Sequence, residues 1–173
     1  MGVNELALGF TLGIAAFTDW REHKIYNILL VPAFFTALLL NIFQGGILGL
    51  TSSLLGAVTG FSLLLLPYLM GGMGAGDVKL LMVIGAFGGA LFVFTSFLYG
   101  AVIGGLISGL LLIRRKALGN TLKYILLFSP VLKKPQHFNE SMNNVRQEKF
   151  PYGIAIVLGT LITLALSVEE VGL

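Results

Sequence analysis

The sequence predicts an all-α integral membrane protein of six transmembrane helices with both termini extracytoplasmic, and three observations carry that reading. The 173-residue chain is 56% hydrophobic and only 11% charged, and its mean hydropathy of +0.92 lies far outside the soluble range. Its apolar runs fall near the roughly 20 residues that a helix needs to cross a bilayer. All 11 Lys and Arg residues occupy loops that a six-crossing count places on one face. One membrane domain over residues 1–173 fits this length. The absence of cysteine excludes disulfides, thiolate metal sites and cysteine nucleophiles.

The first span is read at residues 3–18. The residues before it, Met1 to Glu5, contain no Lys or Arg, and the basic residues follow the run instead of preceding it. It is therefore expected to be retained and not cleaved as a signal. The polar turn Asp19-Trp20-Arg21-Glu22-His23-Lys24 leads to a second span at 25–43, and Gln44-Gly45-Gly46 closes a tight turn. A third span at 47–70 delivers the chain into Gly71-Gly72-Met73-Gly74-Ala75-Gly76-Asp77-Val78-Lys79. Four glycines this close weaken any helix and demand a sharp bend.

Residues 78–113 number 36, with Lys79 the only charge. That is too long for one crossing and suits two short ones, with Gly88-Gly89 as the break. Arg114-Arg115-Lys116 ends the fifth span, a cytoplasmic segment follows at about 114–150, and the sixth span is at 152–168. Within the segment, residues 121–132 are apolar but too short to cross. With Lys123, Lys133 and Lys134 at their ends, they suit the anionic inner leaflet.

The charges test the count. The loops after spans one, three and five hold Arg21, Lys24, Lys79, Arg114, Arg115, Lys116, Lys123, Lys133, Lys134, Arg146 and Lys149, whereas the opposite face holds only Glu5, Glu169 and Glu170. The positive-inside rule puts the basic face in the cytoplasm. Merging or splitting one span would scatter the basic residues over both faces.

Two carboxylates, Asp19 and Asp77, sit at the mouths of apolar runs, where desolvation penalises a charge that is not used. They are 58 positions apart with two crossings between them, so both lie at cytoplasmic span ends at similar depth. Packed together they could not both ionise and would share one proton. Such a pair can hydrolyse a peptide: one carboxylate takes a proton from water while the protonated partner polarises the carbonyl. Gly74 and Gly76 are expected to take positive φ and to let an extended substrate approach. The dipole of the fourth span favours an ionised Asp77. Lys79, about 200° around the helix from Asp77, is expected to point away and snorkel to the headgroups.

Other readings stay open on these residues alone. Asp77 could merely cap its helix while Asp19 marks the end of span one. A Mg²⁺ or Ca²⁺ site would want further oxygens at this depth, and no metal, cofactor or nucleic acid is expected. A proton- or cation-coupled transporter could use paired acids, although transport places polar groups near the midplane and these sit at one face. A noncatalytic scaffold of a secretion complex is a third reading. Glu22, His23 and His137 read as solvated loop residues, and Trp20 and Tyr26 as interfacial anchors.

The run Gly74-Ala75-Gly76-Asp77-Val78-Lys79 resembles the GxGD motif of the type IV prepilin peptidases, intramembrane aspartic proteases. Asp19 through Ile25-Tyr26-Asn27 resembles that family's first-aspartate segment, with Tyr26 where the family pattern has proline. Phe150-Pro151-Tyr152-Gly153-Ile154-Ala155 is similar to its Pro-aromatic-Gly signature, and the Ile-Ala ending looks most like the small tight-adherence pilus peptidases. The resemblance implies that Asp19 and Asp77 are the catalytic pair. It also implies that Gly74, Gly76, Lys79, Asn27, Pro151, Tyr152 and Gly153 lie near the substrate. The implied substrate is a prepilin or preflagellin-like precursor, cut at the cytoplasmic membrane face after a short basic leader. Larger members carry a CxxC-containing domain and N-methylate the product; this chain has no cysteine and no such insertion, so peptidase without methyltransferase is expected. Besides the pair, Glu22, Glu140 and Glu148 are the acids available on that face for the leader.

Overall fold

The computed structural model describes residues 2–114 and 152–171, and among them every regular element is helical. The helices are α1 (Val3–Glu22), α2 (Asn27–Leu69), α3 (Ala75–Arg114) and α4 (Tyr152–Val171). Residues up to Gly104 together with the last helix form one compact unit. The expectations for the 115–150 segment, and for Pro151, lie outside the described residues.

The two longest helices are each broken once. Gly46 leaves helical geometry at φ 58° and ψ −137°, and Gly89 does so at φ 82° and ψ −179°. Both conformations are open to glycine and strained for any residue with a Cβ. Six helical segments result, at 3–22, 27–45, 47–69, 75–88, 90–114 and 152–171.

The segment at 75–88 is the centre of the unit. Leu80, Leu81, Val83, Ile84 and Ala86 are fully buried, so neighbours surround this helix on every side, as its all-round apolar sequence requires. Close approach is made by small residues. A Cβ on Gly56 would strike the backbone carbonyl of Gly85, and one on Gly60 would strike that of Leu81. Gly56 and Gly60, four apart, therefore form a backbone-to-backbone contact of the kind that holds helices together where lipid removes the hydrophobic drive. The last helix meets 90–104 in the same way, through Gly159 against Gly100.

The break at Gly89 frees the carbonyls of the turn before it, and α2 supplies their donors. Ser53 Oγ donates to the Ala86 carbonyl at 2.6 Å. Asn41 Nδ2 donates to the same carbonyl at 3.0 Å and lies 3.4 Å from that of Phe87. These two side chains stand on opposite sides of the Gly46 break, so one polar cluster satisfies the kinked backbone inside an apolar bundle. The outer surface is apolar too: Ile28 and Phe43 are each 84% exposed. Large exposed apolar area of this kind needs a non-aqueous partner.

Candidate active site

Asp19 is delivered to the interior by the register of α1. Leu8, Leu12, Ala15 and Asp19 are all buried and recur at intervals of four, three and four, which is one stripe of a helix. The carboxylate follows Ala15 by one turn on the packed face, and Asp19 is only 5% exposed. The expectation of a polar turn beginning at Asp19 is corrected here: the helix runs on to Glu22. It stops at His23, left-handed at φ 51°, whose N–H donates to the Asp19 carbonyl at 2.9 Å.

Asp77 is the third residue of α3 and is buried. Its Oδ2 accepts the backbone N–H of Gly74, the residue before the helix, at 3.1 Å. This is the reach-back half of a capping box, in which an acid near the start satisfies a donor that the helix leaves unpaired. Capping and chemistry are therefore not alternatives for this residue.

Gly74 and Gly76 do not take positive φ; in this turn only Gly71 does, at φ 76°. Gly76 already lies in the first turn of α3, where its geometry is helical, and its lack of a side chain serves packing. A Cβ there would stand 3.2 Å from Ile25 Cβ and 3.3 Å from the Ile25 carbonyl oxygen.

The third component comes from the start of α4. The N–H of Ile154 donates to Asp19 Oδ2 at 3.1 Å, and the Gly153 N–H also faces that carboxylate. A Cβ on Gly153 would lie 2.6 Å from Asp19 Oδ2 and 3.0 Å from Ile25 Cδ1. Ile25 thus packs against the glycines beside both acids, joining the start of α3 to the start of α4 around Asp19. The two acids are near enough that the charge of Asp19 acts on Asp77. Each carboxylate lies against the positive end of a helix, which supports charge in a buried setting that otherwise penalises it.

Of the remaining expected site residues, Lys79 and Asn27 pair with each other: Lys79 Nζ donates to Asn27 Oδ1 at 3.0 Å. Tyr152 opens α4 and is partly buried. Tyr26 bonds Glu22 through its hydroxyl. Among the described residues no three His, Asp or Glu side chains gather as a metal site requires. Sequence reading missed the Ile154 N–H and the central position of Ile25. Backbone donors carry no residue-type signal, and the only available hint was that each lies inside a stretch already singled out.

Fold and site together define a protein that is helical throughout the regular elements of its described residues, among which two helices, Asn27–Leu69 and Ala75–Gly109, are long and apolar enough to cross a membrane, with a pair of buried acids contributed by helices remote in sequence. The type IV leader peptidase family matches this chain over residues 6–109, and the chain belongs to that family. Proteolysis of leader-bearing precursors is accordingly its class of activity. No curated protein and no solved structure matches the chain.

Proposed function

We propose that this protein is an intramembrane aspartic endopeptidase that removes the short basic leader of prepilin-like precursors at the cytoplasmic membrane face, with Asp19 and Asp77 as the catalytic pair and without N-methyltransferase activity. The observation that carries the reading is the burial of these two acids within electrostatic reach of each other, each held by a backbone N–H at a helix start.

The chemistry follows from a single shared proton. The ionised carboxylate takes a proton from a water molecule as its oxygen bonds to the scissile carbonyl carbon, and the protonated carboxyl gives its proton to the carbonyl oxygen. Collapse of the tetrahedral intermediate breaks the C–N bond, the nitrogen receives a proton from the pair, and one hydroxyl of the intermediate returns its proton to the pair as the new carboxyl group forms, which restores the one-proton state. In this reading the substrate backbone approaches the pair past the exposed Gly74, with Lys79, Asn27 and Tyr152 beside it.

In this reading the six helical segments are six crossings and both termini are extracytoplasmic, which keeps all 11 basic residues on the side of the two acids. A transporter would need its acids along a path through the bilayer, whereas these close helix ends. The tight-adherence-like Ile154-Ala155 ending favours a small pilin as substrate. The test is cleavage by the purified protein in detergent micelles. With S-adenosylmethionine added as a methyl donor, the expected products are a free leader and a mature chain with an unmethylated amino terminus, read by mass spectrometry. An intact precursor after prolonged incubation would refute the proposal.

A further inference from the structure

We infer that the Gly153–Ile154 turn is a positioning element for Asp19: its backbone donors fix the carboxylate in the orientation and charge state that the pair requires, and Gly153 must be glycine so that the carboxylate can reach them. The inference deepens the proteolytic reading and rests on it. Two independent observations support it. The Ile154 N–H donates to Asp19 Oδ2 at 3.1 Å across a sequence separation of 135. The space that a side chain at 153 would occupy is already filled by that carboxylate, whose Cγ would be 2.9 Å from the added Cβ.

The arrangement has a physical cause. The first N–H groups of a helix have no partner within it. The start of α4 is packed where water is scarce, so those donors need an acceptor, and α1 supplies one from its last turn. Asp19 gains direction in return. A free carboxylate rotates about χ2, while one held by a donor on a second helix presents its remaining oxygen in a fixed direction. The other groups facing Asp19 are His23 at the end of its own helix and Asp77 from α3, and the loop between α1 and α2 presents the apolar Ile25.

Two substitutions separate this role from simple packing. Ile154→Pro removes the donor in the first turn of α4, where proline is tolerated, and Ile154→Val keeps it. Loss of one hydrogen bond to an ionised group should lower kcat/KM about 10- to 100-fold, mostly in kcat. With backbone donors from both Ile154 and Gly153 against one on Asp77, Asp19 is the ionised member of the pair in this inference, contrary to the expectation from the helix dipole. Losing a donor should therefore also move the acid limb of the pH–rate profile upward by about one pH unit. Gly153→Ala should give a comparable loss if the proline variant fails to fold, and Ile154→Val should match the parent.

An activity-independent reading uses Asp77→Asn as background, where Asp19 is the one remaining member of the pair. Its carboxyl stretch in the infrared, followed against pH, should titrate at higher pH once Ile154→Pro is added. An unchanged midpoint together with an unshifted acid limb overturns the inference and leaves the proteolytic reading intact. Failure of the parent protein to cleave any precursor, with the midpoint still shifting, would instead sink the proteolytic reading and not the contact.

Discussion

Lys79 and Asn27 form a hydrogen bond of 3.0 Å between the second turn of α3 and the first residue of α2. The bond ties the helix that carries Asp77 to the end of the loop that follows Asp19. Lys79 thus has a partner from the protein and does not simply extend to the headgroups.

Because this tie lies at an exposed rim, breaking it should matter more to the chemistry than to folding. Asn27→Ala and Lys79→Met are each expected to reduce stability by no more than about 1 kcal/mol. Each should lower kcat/KM about three- to tenfold through looser placement of Asp77. Thermal unfolding and precursor cleavage, measured on the same preparations, check both halves. A large fall in melting temperature would show that the bond is structural instead.

The approach of Gly56 to the Gly85 carbonyl leaves no room for a side chain. Gly56→Val and Gly85→Val should each destabilise by about 1–3 kcal/mol or more through overpacking. Val at Gly13, where an added Cβ would meet nothing within 4 Å beyond the neighbouring backbone of its own helix, should be tolerated. Unfolding in mixed micelles would order these variants, and equal effects at all three positions would contradict the close contact.

At the Gly89 break the Ala86 carbonyl relies on Ser53 and Asn41. Removing one donor with Ser53→Ala should cost about 1 kcal/mol, because the other remains. Removing both with Asn41→Leu added should cost about 2–4 kcal/mol and more than the sum of the single effects. A double-mutant cycle of denaturant midpoints decides it. Strict additivity would mean that the carbonyl finds another partner.

A pair that works only singly protonated gives a bell-shaped dependence of rate on pH. Activity falls in acid when both carboxyls are protonated and falls in alkali when both are ionised. Initial cleavage rates across a wide pH range should show both limbs. A flat profile would exclude shared-proton chemistry.

Much of this was legible in the sequence because glycine and charge speak directly about backbone and environment. Gln44-Gly45-Gly46 and Gly88-Gly89 stood where apolar runs were too long to continue, and the backbone leaves helical geometry at Gly46 and Gly89. Asp19 and Asp77 stood out because buried acids are costly, and both are buried. The local conformation around them was less legible. The polar residues Asp19 to Glu22 looked like a turn, yet the buried stripe of α1 carries the helix through them. Gly74 and Gly76 suggested positive φ, whereas neither takes it: Gly76 lies within the start of α3 and its absence of Cβ serves contact with Ile25, while Gly74 gives its N–H to Asp77. The Ile154 donor was hidden because a tertiary hydrogen bond from backbone depends on which helix ends meet, and no single stretch encodes that.

The measurement that bears most directly on the catalytic pair is cleavage of a pilin precursor by purified Asp19→Asn, Asp77→Asn and the double variant, each checked for a parent-like melting transition. Each single change should abolish detectable cleavage, a loss of at least about a thousandfold, and the double change should be no worse than either alone. Cleavage at the parent rate by either folded single variant would contradict the assignment of these two acids to the chemistry.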